Sequence, residues 1–486
     1  MSTPASGRNA ALGPAQLTRL LGEWEGAGPA YAALADRIRV LVVDGRIPSR
    51  TWLPSERALA DALGKSRTTV IAAYARLRDE GCLHSVRGAG SYVSLSRRAD
   101  DGAHHGTTPT ILDLSKAAPP MWPGLPALFA EAAERLATID LGVGYDLVGQ
   151  EPLRRQIAER YEARGLPTRP SQILVTLGGQ HAIYLAARTL AARGDRAMVE
   201  TPSYPHAYEA LRLAGARLDG FGTVPVTVDG WDMDRLERVL TGIRPALAYV
   251  IPDHHNPTGA SMTLAERTAL VRTAERVGTV LLVDETTADL DIDAGTSPVP
   301  VAALAREAGS VVTIGSLGKT VWGGLRLGWI RADERVIDRL VTARAASDMG
   351  TPGFDQLVGM LALGRMDEII THRRTMLARS RDLAIATLAE QVPEWQVPHP
   401  TGGMSLWVGL GSPSSSALIL AARARGLVIT AGPRFGIDGA FERHLRVPFT
   451  GATEELEPAL RILVDAWRSL PGGVVPQAEP VLEHVV

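Results

Sequence analysis

The sequence predicts a multidomain chain: a small N-terminal module of three helices closed by two short strands, followed by a much larger α/β domain. Three observations predict it. At 486 residues the chain exceeds one ordinary domain. Capped helical repeats crowd residues 29–81, whereas apolar strand-like runs alternate with helical stretches beyond residue 111. Between them residues 97–110, RRADDGAHHGTTPT, are polar and aperiodic, as a linker is.

Residues 1–24 carry no clear period and read as an N-terminal arm, although LTRLLGEW could add a short amphipathic turn. The small N-terminal module is placed at 25–96. From Pro29 the apolar residues Tyr31, Leu34, Ile38 and Leu41 recur at helical spacing, and Gly45 followed by Pro48 stops the run. Ser55 caps a second helix, ERALADAL, that Gly64 ends; Ser66 caps a third, RTTVIAAYARLRDE, that Gly81 ends. LHSVRGAGSYVSL then reads as two strands around a Gly88/Gly90 turn.

The large domain is placed at 111–472. Its apolar runs ILVTL (173–177), ALAYVI (246–251), TVLLVD (279–284) and VVTIG (311–315) are separated by helical stretches, the pattern of a mostly parallel sheet covered by helices. A final αβ region, about 370–470, offers PHPTGGMSLWVGL and HLRVPF as strands, and residues 473–486 read as a tail.

Composition narrows the function classes. The hydrophobic fraction of 45% suits a globular protein with real cores, and no apolar run approaches the length that spans a bilayer. The single cysteine, Cys82, excludes an intramolecular disulfide, and the start MSTPASGRNA lacks a signal-peptide layout, so a cytoplasmic location is expected. The net charge of −2 conceals an asymmetry: residues 31–98 hold 12 Lys and Arg against 6 Asp and Glu, a net +6 that leaves −8 for the rest. Such a basic module fits a phosphate backbone, although charge alone fits a solvated face equally well.

The residue pattern decides between them. A very short turn joins the second and third helices, so the third can lie in a major groove with Ser66, Arg67, Thr68 and Thr69 leading. Arginine can bond a guanine bidentately, and threonine can meet a phosphate or a thymine methyl. Arg57 is a further candidate contact, and Arg87-Gly88-Ala89-Gly90 can approach a backbone as a wing does. These residues, LPSERALADALGKSRTTVIAAYARLRDEG and RGAGSYV within 29–95, resemble the winged helix-turn-helix of the GntR family. The resemblance implies DNA contacts at Arg57, Ser66, Arg67, Thr68, Thr69 and the wing residues Arg87, Gly88, Gly90 and Ser91. Ser49-Arg50 departs from the family's usual Pro-Gly, which bears only on that loop.

In the large domain the residues meet the demands of pyridoxal phosphate: a Schiff-base lysine, an acid at the pyridine nitrogen, phosphate donors, a ring stacker and a partner for the phenolic oxygen. Lys319, in GSLGKTVWGGLRLGW, follows an apolar strand in a loop of small residues. Ser316 and Arg326 flank it with a hydroxyl and a guanidinium for one phosphate. Asp284 ends the strand TVLLVD, at the sheet edge where open α/β folds bind ligands. Gly178-Gly179-Gln180 join a strand to a helix, and the N–H groups there suit a phosphate. Tyr204 can stack on the ring and Asn256, in HHNPTG, can bond the phenolic oxygen. Taken singly, Tyr204 reads more often as a packed aromatic, Arg446 as a surface ion pair and His254-His255 as a solvated loop; the histidines receive no metal role.

Residues 111–470 resemble fold type I aminotransferases, and the whole chain resembles the MocR subfamily of GntR regulators, which joins such a domain to a winged helix. The resemblance implies that Lys319 forms the internal aldimine, Asp284 faces the pyridine nitrogen, Asn256 binds the phenolic oxygen and Tyr204 stacks. It assigns the phosphate to Gly179, Gln180, Ser316 and Arg326, with Tyr145 reaching it from the neighbouring subunit of a homodimer, and an effector carboxylate to Arg446. One position departs: Thr286 stands where the family usually has a tyrosine that touches the phenolic oxygen. A threonine is too short for that reach, so Schiff-base formation is expected to survive and transamination to suffer. The expected function is a DNA-binding regulator that senses an amino compound, or pyridoxal phosphate itself, at Lys319. The alternatives are an active aminotransferase with an accessory DNA-binding domain and a cofactor-free dimerisation scaffold.

Overall fold

The computed structural model describes residues 11–22, 24, 29–43, 46–48, 50–86, 90–93, 111–139, 142–218, 220–293, 299–437 and 439–470. The expected linker and tail lie outside them.

In the N-terminal domain the three predicted helices form as Ala30–Val43, Glu56–Leu63 and Arg67–Asp79. Their caps act as read: Ser55 Oγ accepts the Ala58 N–H at 3.3 Å, Ser66 Oγ accepts that of Thr69 at 3.1 Å, and Gly64 turns left-handed at φ +61°. Leu83–Val86 pairs antiparallel with Gly90–Val93, and a third strand, Trp52–Leu53, adds to the latter's other side. The expected arm is corrected. Residues Pro14–Leu21 form a helix whose Leu17 and Leu21 are fully buried, and the Leu12 N–H donates to the Trp52 carbonyl at 2.9 Å. Eight residues give too few turns for a period to stand out, yet Pro14 at the start and a leucine stripe every three to four residues suffice once Leu34, Ile38, Leu59 and Val70 supply a core to bury against.

The large domain is built on an eight-stranded sheet. Its strands lie in the order Ile173–Thr176, Gly328–Arg331, Val311–Ser316, Val280–Asp284, Leu247–Val250, Ala197–Thr201, Thr223–Thr227 and Gly230–Trp231. The sheet is mostly parallel, as expected. Gly328–Arg331 runs antiparallel to both neighbours, and Gly230–Trp231 is antiparallel to Thr223–Thr227. Strands buried on both faces explain the continuous apolar runs: Ile173–Thr176, Leu247–Val250 and Leu281–Asp284 expose almost nothing.

Direction along the sheet sets the position of every loop that matters. Ile173–Thr176, Ala197–Thr201, Leu247–Val250, Val280–Asp284 and Val311–Ser316 all end at the same edge, so the residues that follow them converge. The reversed strand starts at that edge, with Gly328 opposite both Thr176 and Ser316, and brings Arg326 to the same place.

A second lobe packs Met366–Gln391, Ser415–Ala424 and Thr453–Arg468 against two small sheets. Ser405–Gly409 pairs antiparallel with His444–Pro448, and Leu427–Ile429 pairs parallel with Leu112–Leu114. The last pairing draws the first strand after the linker into a lobe otherwise made from the C-terminal third.

Candidate functional site

The converging loops enclose a cleft of about 780 Å³, its open mouth included, lined by Lys319, Asp284, Asn256, Tyr204, Gly179, Gln180, Ser316 and Arg326. Eight residues spread over 148 positions of sequence thus meet in one place. Lys319 Nζ donates to the Ala117 carbonyl at 3.0 Å. Burial, and after it the Arg446 guanidinium, pull the Lys319 ammonium down to about 8, while Asp284 works in the opposite direction. A lysine so placed gives up its proton at far lower pH than an ordinary lysine, and so more readily offers the free amine that attacks an aldehyde.

Asp284 sits at the end of its strand with both carboxylate oxygens engaged. Oδ2 accepts the Tyr249 hydroxyl at 2.7 Å and Oδ1 accepts the Thr286 N–H at 3.0 Å. Burial, with Asp284 next, pushes the Tyr249 hydroxyl well above its ordinary range, so the tyrosine stays a donor. Tyr204 lies half-buried across the cleft, its hydroxyl pushed up to about 12, chiefly by burial.

The opposite end of the cleft gathers helix N–H groups, a hydroxyl and a guanidinium that could hold a phosphate. The helix Gly179–Leu190 opens there without a side-chain cap, leaving its first N–H groups to the cleft. Gly178 adopts φ +82°, and a Cβ on it would lie 2.9 Å from Arg326 Nη2. Arg326 itself is held at φ +52°, uncommon outside glycine, with Nη2 donating to the Leu177 carbonyl at 2.8 Å. Ser316 Oγ donates to the Leu327 carbonyl and accepts the Gly318 N–H, both at 3.0 Å.

Buried acceptors without partners among the described residues mark where a ligand fits: Asn256 Oδ1 and Gln180 Oε1. The donor set, the unpaired acceptors and the cradle closed to any Cβ therefore suit a flat, phosphorylated pyridine aldehyde. Among the described residues no cluster of His, Cys, Asp and Glu suits a metal, and His255 is instead committed to Thr258 Oγ1 at 2.9 Å.

Arg446 is buried beside the cleft. Its guanidinium stands 4.8 Å from the Phe435 ring centroid, Nη2 donates to the Ser115 carbonyl at 2.6 Å, and Nε is buried without a partner. Thr286 lies against the cradle; a Cβ on Gly179 would be 3.1 Å from its Cγ2. Tyr145 lines no part of this cleft and is 70% exposed. Its loop is rigidly built all the same: Asp146 Oδ1 accepts the N–H groups of Val148 and Gly149, and the buried Arg344 donates to the Leu147 carbonyl.

On the small domain Arg57, Ser66, Arg67 and Thr68 are exposed and Thr69 is half-buried. The Ser66 hydroxyl lies 2.8 Å from that of Thr68 and 2.7 Å from that of Thr69. Ser91 departs from the expectation: it is buried with its hydroxyl 2.8 Å from that of Ser85, so it braces the strand pair rather than facing outward. Gly90 is exposed at φ +112°; Arg87 and Gly88 lie outside the described residues.

The sequence reading passed over Tyr249, Ala117 and Gly328. Tyr249 sits in an apolar run and reads as core; only the pairing of its strand with Val280–Asp284 gives its hydroxyl a purpose.

Fold and site define a pyridoxal phosphate-dependent aminotransferase domain carrying a winged-helix head. The family model for aminotransferase class I and II matches residues 118–463, and that for the bacterial regulatory proteins of the gntR family matches 30–93. The chain belongs to the aminotransferase class I and II family, fused to a GntR DNA-binding domain in the arrangement of the MocR subfamily. Pyridoxal 5′-phosphate is accordingly the cofactor of this fold.

Similar proteins fall on both sides of that fusion. The 2-aminoadipate transaminase of Thermus thermophilus is 32% identical over 68% of this chain and 85% of its own. The probable rhizopine catabolism regulatory protein MocR of Rhizobium meliloti is 27% identical over 78% of this chain and 81% of its own, and the regulator TauR of Rhodobacter capsulatus 27% over 85% and 91%. Among solved structures, the α-aminoadipate aminotransferase LysN of Thermus thermophilus, complexed with N-(5′-phosphopyridoxyl)-L-leucine, superposes with a TM-score of 0.67 at 29% identity, covering 74% of this chain and 92% of that one. No helix among the described residues is long and apolar enough to cross a membrane.

Proposed function

We propose that the protein is a homodimeric, sequence-specific transcription regulator whose aminotransferase-type domain senses an amino compound, or pyridoxal phosphate itself, through Schiff-base chemistry at Lys319. One observation carries the reading. A cleft that brings a buried lysine of lowered basicity together with donors for a phosphate is joined, in one chain, to a helix whose N-terminal turn, Ser66–Thr69, is open to DNA.

Bound in the cleft, pyridoxal phosphate supplies an aldehyde that condenses with amines. The residues do the rest. Lys319 would offer its amine to that aldehyde; Asp284, held by Tyr249, would accept the pyridine N–H; the Asn256 amide would donate an N–H to the phenolic oxygen; Tyr204 would stack on the ring. Gly179, Gln180, Ser316 and Arg326 hold the phosphate. Arg446, with Nε unpaired, binds an effector carboxylate. The exposed Tyr145, on its pinned loop, reaches the phosphate of a second copy. Thr286 lies against Gly179 and supplies no phenol beside Asn256, which supports sensing over rapid turnover.

On DNA, Arg67 and Arg57 read or grip the groove and Thr68 and Thr69 contact it, with Gly90 at the wing. The visible spectrum of the purified protein, before and after borohydride and beside Lys319→Ala, tests the cofactor half. A band that borohydride abolishes and the variant lacks is expected; no band after adding pyridoxal phosphate defeats it. Rapid conversion of an amino donor with a keto acceptor would defeat the sensing half in favour of catalysis.

A further inference from the structure

The Arg37 guanidinium joins the winged-helix head to the second lobe. Arg37, on the helix Ala30–Val43, pairs with Glu442 and donates to Ser416 Oγ at 3.2 Å, while its Nε donates to the Leu21 carbonyl at 2.8 Å. A single side chain thus ties two helices of the head to the helix Ser415–Ala424. Glu442 is equally committed: Oε2 accepts the Ser416 N–H at 3.0 Å and Oε1 accepts the Ser416 hydroxyl at 2.7 Å. Close by, Gly439 lies against Arg46, where a Cβ would come 2.7 Å from Nη1. Within the head, Asp36 Oδ1 accepts Arg76 Nη2 at 3.1 Å and Glu80 accepts Arg39 at 3.3 Å, so the helix that bears Arg37 is braced to the recognition helix.

The other side of Glu442 leads to the cleft through contiguous packing. Arg446 pairs in register with Trp407 on the neighbouring strand and stands over the Phe435 ring. Trp407 meets Phe435 edge-on at 5.6 Å and Phe441 at 5.7 Å, and stacks on His444 at 5.2 Å. Phe435 also receives, at its carbonyl, the N–H of Ser203 at 2.9 Å, next to Tyr204. Gly432 leaves no room for a side chain between the Phe441 and His444 carbonyls, which lie 2.2 and 2.3 Å from where a Cβ would be. The 435 and 441–444 segments are therefore packed tightly against one another. Phe441, immediately before Glu442, is held at φ +74°, a conformation bulky side chains avoid and neighbouring packing must impose.

We propose that the Arg37–Glu442 pair is a latch that holds the DNA-binding head against the effector lobe, and that a carboxylate bound at Arg446 releases it through Phe435, Trp407 and Phe441. The proposal rests on the reading of the chain as an effector-sensing regulator. A carboxylate that takes the unpaired Arg446 Nε draws the guanidinium from the Phe435 ring. The aromatic block follows, Phe441 leaves its left-handed conformation, and Glu442 swings away from Arg37. Both sites then bias one element with two arrangements, the physical requirement for coupling.

Amide hydrogen exchange on the full-length protein tests it, comparing the pyridoxal phosphate-loaded form with the protein loaded instead with N-(5′-phosphopyridoxyl)glycine. That probe carries, on the amine in place of Lys319's, the carboxylate that the proposal directs to Arg446. Its binding is measured separately by calorimetry. In the wild type the probe should raise exchange at least fivefold in residues 30–43 and 439–443. Glu442→Gln should show the fast exchange in residues 30–43 without the probe and little further response to it. The reversed pair Arg37→Glu with Glu442→Arg should restore slow exchange and the response, which a merely misfolded single variant cannot do. A probe that binds while residues 30–43 exchange as before overturns the latch alone, as does a Glu442→Gln head that still behaves as wild type. A probe that does not bind overturns the sensing reading, and the latch with it.

Discussion

The Tyr249 hydroxyl donates a 2.7 Å hydrogen bond to Asp284 Oδ2 across two neighbouring strands, inside the sheet and beneath the cleft. The relation fixes a carboxylate that is 4% exposed and would otherwise keep only the Thr286 N–H as a partner. Tyr249→Phe leaves a buried charged acceptor half-satisfied, at a cost of about 1–3 kcal/mol. Urea unfolding of the cofactor-free protein should show that loss, and pyridoxal phosphate should dissociate faster on gel filtration. A variant as stable and as retentive as the wild type would remove Tyr249 from the site.

Lys319 titrates in an unusual range, and the direction has consequences. Burial and the Arg446 cation hold it at about 8, so the amine is protonated and inert below that pH and free above it. In the cofactor-free protein, acetylation at Lys319 followed by mass spectrometry should rise through a midpoint near pH 8. Arg446→Ala removes one of the two causes that depress the value, so the midpoint should move upward. The same shift reaches stability. An unfolded lysine keeps its proton up to about 10.5, so folding releases a proton between pH 8 and 10.5 and this contribution to stability rises with pH across that window. Below pH 8 the cost of burying the amine is fully present.

Much of this was legible because it is local. Ser55, Gly64 and Ser66 punctuate the head as their capping chemistry requires, and the apolar runs ending in Asp284 and leading to Ser316 declare strands buried on both faces. Lys319, Ser316 and Arg326 lie within eleven residues, so their chemistry reads off one loop. What stayed hidden is non-local. Ser91 follows a glycine in a wing-like turn, and only the partner Ser85 shows that its hydroxyl turns inward. Leu17 and Leu21 have meaning only beside Leu34 and Leu59. Gly328 looks like any strand glycine until Gly178 is seen against it.

That last contact makes a sharp test. A Cβ on Gly328 would lie 2.7 Å from the Gly178 carbonyl carbon and 2.9 Å from the Gly179 nitrogen, both backbone atoms with nowhere to go. Gly328→Ala should push the cradle off its position, weaken pyridoxal phosphate binding at least tenfold, and cost about 1–3 kcal/mol through overpacking. Fluorescence titration against the refolded-content control of circular dichroism separates the two effects. Wild-type affinity would show that the cradle tolerates the shift.

The N-terminal helix predicts a stability effect where an arm would give none. Leu17 is fully buried among Leu21, Leu34 and Leu59, so Leu17→Ala should destabilise the head by about 2–5 kcal/mol. Proteolysis should then cut within residues 30–86 at lower protease concentration. Resistance equal to wild type would return residues 11–22 to the status of an accessory segment.

Arg67 opens the recognition helix, exposed, beside hydroxyls that the Ser66 cap draws together. Two kinds of contact are open to it, and they leave different signatures. If it reads a base edge, Arg67→Ala should cost about 1–3 kcal/mol against the sequence the wild type selects from a random duplex library and relax the preference at one position. If it meets only phosphate, all sequences should weaken alike and the salt dependence should fall by about one ion. Its place at the first helical turn, where groove depth brings side chains to base edges, favours the first outcome. Binding curves at two salt concentrations, on selected and scrambled duplexes, distinguish them, and unaltered affinity on both would take Arg67 out of the interface.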